Sequence, residues 1–263
     1  MPIQDNFIDT TVDEYINKEL IKDNKERQLK HKASGKLSAS MLFQPVKFQV
    51  LKTIGAPRKP FDVYTLGKFK RGRDVEEWYV KKLRESGVLV EDPKVLWKYN
   101  LQLDEDKQPQ ATYRECIGYI DSIIDTDKME SKVGIIPNEI KSIVNMKWRR
   151  VKKTGIDWHY KIQACFYALA MGVEHYAVTI VSAEDLRRET HIFEVSKMKK
   201  YVDHAIGQYM IAMARFNKDL TLPKFEANEH VKWTGDLKYA MFSPEWANNP
   251  DSWVLEQLKK EKE

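Results

Sequence analysis

Gly118-Tyr119-Ile120-Asp121, then Glu139-Ile140-Lys141, then Gln163-Ala164-Cys165-Phe166-Tyr167: these three pieces of residues 118–167 decide the fold. Asp121 stands in an apolar run, residues 117–124, that reads as a buried strand. After a polar loop, Ile135-Ile136-Pro137-Asn138-Glu139-Ile140-Lys141 reads as a second short strand. Side chains alternate along a strand, so Glu139 and Lys141 share one face while Ile140 points into the core. Two carboxylates and a lysine brought together by neighbouring strands form an oxygen-ligand cage for a hard divalent cation. A lysine beside such a cage can orient or deprotonate a water. This is equipment for metal-assisted hydrolysis of a phosphodiester. Asp121 is the hardest of these residues to explain as structure alone, because a carboxylate in an apolar strand must be paired or bind a cation.

Around that stretch the composition sets bounds. The chain has 263 residues, 42% of them hydrophobic, enough to bury one large core. No apolar run approaches the ~20 residues of a membrane span, so no membrane partner is expected. The first residues lack the basic-then-apolar layout of a signal peptide. Cys116 and Cys165, the two cysteines, both lie in apolar stretches and read as packed thiols of a reducing compartment, the cytoplasm. Two thiols are too few for a four-thiolate cluster from one chain. The net charge of +5 says little by itself; where the cations cluster says more.

In chain order, residues 1–35 read as a charged arm, partly helical. Val12, Tyr15, Ile16 and Ile21 make a helical stripe capped by Thr10 or Thr11, with a flexible polar stretch from Lys22 onward. Ser38-Ala39-Ser40 opens a capped helix that carries Pro45 in its first turn and ends near Gly55-Ala56-Pro57. Residues 67–87 hold a helix with Val75, Trp78, Tyr79 and Leu83 on one face and Glu76 beside it. Lys68, Lys70, Arg71 and Arg73 crowd its entrance, where Gly72 suits close approach of a phosphate; a solvated basic turn is the alternative. Residues 88–103 read as strand, turn and strand, and residues 113–124 and 135–143 as the two motif strands.

Lys147-Trp148-Arg149-Arg150-Val151-Lys152-Lys153 follows at once. Its cations are placed to neutralise phosphates and its indole to stack on a base, against the blander reading of a solvated face. Residues 157–171 form a helix ended by Gly172, with Ile162, Phe166 and Leu169 in the core. Gln163 and Tyr167, four apart, lie together on an adjoining face. Residues 175–181 and 190–195 read as strands, and residues 196–218 as a long helix with Met198, Val202, Ile206, Tyr209 and Met213 inward. The expected fold is α/β: a central mixed sheet flanked by helices over residues 36–225, with a C-terminal extension over residues 226–263.

Taken in order, Gly118-x-x-Asp121, Glu139-x-Lys141 and Gln163-x-x-x-Tyr167 resemble the motifs of the PD-(D/E)XK nuclease superfamily, with its restriction-endonuclease-like core. Their spacing is similar to the RecB/Cas4-like branch. The upstream helix of that branch carries Gly-x-x-x-His or Gly-x-x-x-Glu, and Gly72-Arg73-Asp74-Val75-Glu76 fits it with Glu in the His position. Ser38-Ala39-Ser40 is similar to the opening of the same branch, so the resemblance spans about residues 38–195. Glu-x-Lys alone is a weak signal, whereas four motifs in order and in context are a strong one.

The resemblance implies that Asp121 and Glu139 bind Mg²⁺ or Mn²⁺ with the carbonyl of Ile140, and that Glu76 is a further ligand. It implies that Lys141 activates or holds the attacking water, and that Gln163 and Tyr167 brace the site or touch the DNA backbone. DNA is the implied partner, in recombination, repair or viral genome processing (a host's cytoplasm, for a viral chain), with a recombination or replication protein as an open second partner. The basic candidates for DNA contact are Lys68, Arg71, Arg73, Lys147, Trp148, Arg149, Arg150, Lys152 and Lys153. Many members of the branch degrade DNA from its ends, so an exonuclease is expected. A structure- or sequence-specific endonuclease and a catalytically silent DNA-binding module stay open. One departure is informative. Several members hold an iron–sulfur cluster, but Gln44 stands near the place of its first cysteine and no cysteine follows Cys165. No cluster is expected.

Overall fold

A computed structural model describes residues 6–30, 35–56, 61–104 and 107–223, with side chains in the first helix described over residues 12–26. Pro57 and the extension at residues 226–263 lie outside the described residues.

Where the sequence reads as a short helix and a flexible arm, the chain forms one helix, α1 (Asn6–Lys30). Its support is tertiary. It lies along α3 (Val63–Glu85), with Leu20 approaching Gly67 and Asp23 paired to Arg73. The expected apolar stripe is turned outward, with Tyr15 63% exposed and Val12 50%. Between these helices, the single helix expected after Ser40 is split. A 3₁₀ turn (Ala39–Met41) comes first, and α2 (Val46–Thr53) starts after Pro45, which disfavours helix at the residue before it.

Helix α3 begins a turn earlier than Gly67. Asp62 caps it, its carboxylate accepting from the Thr65 amide at 2.7 Å. Lys68, Lys70, Arg71 and Arg73 therefore lie in the body of the helix, away from the free amides of its entrance. Residues 88–103 keep strand-like ends, with Leu89 bridged antiparallel to Ile124 and a short strand at the far end, but a helix replaces the expected turn. Asp92 accepts from the Lys94 amide at 2.8 Å and Pro93 takes the first helical position, starting α4 (Pro93–Lys98) before β1 (Gln102–Leu103).

The expected strand over residues 113–124 is two strands. β2 (Pro109–Tyr113) turns into β3 (Cys116–Tyr119) through Arg114 and Glu115, both at positive φ, as a two-residue hairpin requires. After Ile120 and Asp121 the chain resumes as β4 (Ser122–Asp125), which pairs with β5 (Ile135–Ile143) in a different sheet. Core lies against both halves, so the apolar run passes unbroken through the change of partner.

From β5 the chain crosses over through α5 (Asn145–Thr154) and α6 (Trp158–Met171) to β6 (His175–Ser182), parallel to β5. Gly172, at φ 69°, ends α6 as a left-handed cap. β7 (Arg188–Glu194) pairs antiparallel with β6, and α7 (Lys199–Asp219) follows. The result is an α/β fold: a mixed sheet β4-β5-β6-β7 and an antiparallel sheet β1-β2-β3, flanked by helices. On one side of the mixed sheet Ile136, Ile140, Ala177 and Val181 pack on Val75, Tyr79 and Leu83 of α3. On the other, Ile143, Val178 and Ile180 join α6 and α7 in the main core. Alternation along β5 thus puts Glu139 and Lys141 on the α6 side. No helix among the described residues is long and apolar enough to cross a membrane.

Candidate active site

The break between β3 and β4 frees Asp121 from strand pairing and turns it toward β5. Its Oδ2 accepts the amide proton of Ile140 at 2.7 Å. Ile140 stands between Glu139 and Lys141, so the backbone of one strand fixes Asp121 relative to both. Glu139 is fully buried, and the Lys141 ammonium contacts its carboxylate as an ion pair. Its Oε2 meets no hydrogen-bond donor among the described residues. Helix α3 brings Glu76 to the same cleft, and α6 brings Gln163 and Tyr167, whose side chains bond each other at 2.9 Å. The cleft encloses about 800 Å³ and takes Ser38 and Ser40 on its rim, where the chain bridges to β3 at Ile117.

Gly118 is a structural requirement of this arrangement. A Cβ built there would fall 2.5 Å from the Tyr167 ring and 2.8 Å from the Ala39 Cβ. Only a residue without a side chain lets α6 and the 3₁₀ turn close over β3. Gly118→Ala is expected to cost about 1–3 kcal/mol of stability. Because Tyr167 must move, it should also slow any reaction at the site more than an equally destabilising core change such as Ile206→Val. Denaturant unfolding alongside activity measurements compares the two. Equal losses of activity in both proteins would reduce Gly118 to packing.

The site is electrostatically unbalanced. Burial, then Asp121, pushes the Glu139 carboxyl up to about 8. Burial and Asp121 likewise push Glu76 up to about 8. Asp121 is raised by burial against the pull of Lys141 and the Ile140 amide. Burial pulls the Lys141 ammonium down, but Glu139 and Asp121 outweigh it, and Lys141 stays above the ordinary lysine range. Three carboxyl groups thus face one ammonium, and a buried carboxylate oxygen lacks a partner. This donor set fits a hard cation such as Mg²⁺ or Mn²⁺, which takes oxygen ligands. Among the described residues no three His, Cys, Asp or Glu side chains close into a metal-holding group. Mg²⁺ does not need one, since it is commonly held by one or two carboxylates and completes its shell with water.

Behind Lys141 stands a second layer missed in the sequence. The Tyr160 ring lies 5.7 Å from the Lys141 ammonium and 4.6 Å from that of Lys147. Lys147 also contacts the Tyr160 hydroxyl and pairs with Asp157 at 3.1 Å. This buried ring thus lies within cation–π reach of both ammonium groups. The i, i+3 spacing of Asp157 and Tyr160 at a helix start was visible in the sequence, but nothing there points it at Lys141.

The basic candidates sort into two kinds. Trp148 is 9% exposed and covered by the Arg187 guanidinium at 5.3 Å, so it belongs to the core and does not stack on a base. Trp158 packs edge-on against Tyr201 at 4.5 Å. Arg150 pairs with Asp157 at 2.7 Å, Lys152 with Glu189, and Lys70 with Asp74 at 3.0 Å. Lys68 lies over the Tyr64 ring. The first amide of α5 is taken by Glu184 at 3.0 Å, which puts a carboxylate at that helix end. Arg71, Arg149 and Lys153 are exposed, and Arg73 lines the cleft.

No protein-family model matches the sequence, and no curated protein does. Solved structures overlap its fold loosely. An alkaline exonuclease (LHK-Exo) from Laribacter hongkongensis is 11% identical, with a TM-score of 0.43 over 72% of this chain and 94% of that one. The same exonuclease in complex with dAMP gives 12% identity and a TM-score of 0.41 over 71% and 93% of the two chains. SSO0001 gives 13% and 0.38 over 74% and 86%. With likeness this slight, the chemistry has to be read from the site's own residues.

Proposed function

We propose that this chain is a divalent-metal-dependent deoxyribonuclease of the PD-(D/E)XK type, acting from DNA ends. The observation that carries the reading is the junction at Asp121. There a strand leaves one sheet for another and delivers a carboxylate to the backbone of Glu139-Ile140-Lys141. Asp121 and Glu139 would hold Mg²⁺ or Mn²⁺, with Glu76 supplying further negative charge beside them. When bound, such an ion polarises a phosphoryl oxygen and makes a water more acidic.

The rest is done by the chain. Lys141, held as an ammonium, donates to the incoming water or the phosphate; it is a donor and a charge, not a proton acceptor. Its ion-pair partner is the Glu139 carboxylate, and the Tyr160 ring lies beside the ammonium. Gln163 and Tyr167, locked to each other, and the rim hydroxyls of Ser38 and Ser40 offer hydrogen bonds to the strand. In the reaction, the water oxygen loses a proton to bulk water and bonds to phosphorus, the ester P–O bond breaks, and the leaving alkoxide takes a proton from bulk water. Outside the cleft, Arg71, Arg149 and Lys153 can meet phosphates without reading sequence. No iron–sulfur cluster enters this reading.

The test is topological. In Mg²⁺, end-labelled linear DNA is expected to shorten progressively, while covalently closed circles, single- and double-stranded, survive. Nicking of closed circles at a comparable rate would make the protein an endonuclease. No hydrolysis of either substrate would leave a DNA-binding module.

A further inference from the structure

Helix α1 lines the cleft that holds Glu76 and Asp121, and it does so with acids, Asp23 and Glu26. Among the described residues, five carboxylates and two guanidiniums border this cleft. Glu76 and Asp121 have a reason to be there; Asp23 and Glu26 repel the polyanion that the site is proposed to cut. Both guanidiniums are engaged. Arg84 grips Glu91 with two bonds, at 2.6 and 2.8 Å, and Arg73 is paired with Asp23 at 2.5 Å. Arg73 sits three residues before Glu76 on α3, and both line the cleft. It is therefore the cleft cation best placed for a phosphate next to the scissile one.

We infer that Asp23 occupies the seat of a substrate phosphate on Arg73, making α1 an autoinhibitory wall that DNA must displace. The inference rests on the nuclease reading. Displacement is cheap: the pair is partly exposed, at 27% and 40%, and such pairs contribute little in water. A phosphate matches the guanidinium fork as well as a carboxylate does. A tight wall would close the enzyme altogether, whereas a weak one sets a threshold that a short or poorly charged strand does not pass.

The test is DNA affinity in EDTA, where chemistry is off, by fluorescence anisotropy with a labelled single-stranded oligonucleotide. The shape-conserving double variant Asp23→Asn/Glu26→Gln is expected to bind about tenfold more tightly than the wild type. In an Arg73→Ala background Asp23→Asn should shift affinity less than about twofold, because the seat it vacates is gone, while the gain from Glu26→Gln persists. Circular dichroism and thermal melting check that each variant folds. Asp23→Asn alone, expected to tighten binding to a lesser extent, gives a second reading should the double variant misfold. Unchanged or weaker binding in a folded Asp23→Asn protein overturns the inference and makes α1 a passive wall or part of the DNA site. If the wild type binds and cuts DNA while Asp23→Asn changes nothing, only this inference falls. A wild type that neither binds nor cuts takes the nuclease reading with it.

Discussion

Asp121→Asn is expected to lose DNA cleavage by about 10³-fold or more, because several kcal/mol of charge stabilisation depend on that carboxylate. The same protein, without added metal, should melt at a higher temperature than the wild type. Asparagine keeps the acceptor for the Ile140 amide, so the junction between the sheets stays closed. What it removes is one of three acidic groups facing a single ammonium. Burial raises the Asp121 carboxyl against the pull of Lys141 and the Ile140 amide, so folding penalises its charged form, and asparagine carries no charge to bury. Each kcal/mol so relieved is worth about 2–4 °C for a chain of this size. Activity and stability thus move in opposite directions, as they do where a fold holds a site in a costly state. Cleavage of end-labelled DNA and calorimetric melting, with and without Mg²⁺, measure both. Full activity would remove Asp121 from the site, and a lower melting temperature would show that Asp121 supports the fold.

Metal affinity should rise steeply with pH. Glu76 and Glu139 hold protons up to about 8 in the native chain, against 4.5 for the free side chain. Native protein therefore binds protons that the unfolded chain has released. The stabilisation is complete below about 4.5 and is lost as pH rises through 8, provided no metal is present. His159 has the opposite sign. Burial and Lys147 pull it down to about 4, so its contribution is lost as pH falls from 6.5 toward 4; in the range where both operate, two carboxyls outweigh one imidazole. An entering cation must expel carboxyl protons. Its apparent Kd should fall up to about tenfold per pH unit for each proton released, then level off above about 8. Mn²⁺ titration by calorimetry in two buffers of different ionisation heat counts those protons directly. Affinity independent of pH between 5.5 and 8 would show that the metal, if bound, does not use these groups.

Much of this was legible beforehand, for definite reasons. β5 is bounded by a polar loop and a charge run, so its limits at Ile135 and Ile143 were readable. α6 carries its own stop in Gly172, and α7 a regular inward face. The junction at Ile120 and Asp121 was not legible, because hydrophobicity records burial and not the identity of the pairing strand. The helix after Asp92 was legible and misread: an acid followed by proline is a start signal, and the short β-rich-looking stretch hid it. Trp148 was misplaced for a related reason. Charges on both sides made the segment look solvated, yet a helix has an inner face, and α5 turns Trp148 and Val151 inward. Asp23 could not be read at all, since its meaning depends on a partner 50 residues away.

The bond from the Ile140 amide to Asp121 has one more consequence, for how such a site drifts over generations. Ordinary contacts between side chains loosen whenever either partner is replaced. Here one partner is main chain, which every substitution at residue 140 preserves except proline. The separation of Asp121 and Glu139 is therefore written into the backbone, out of reach of nearly all point mutations at that position. Lineages carrying this chain can recolour the surrounding residues widely before the gauge between Asp121 and Glu139 changes.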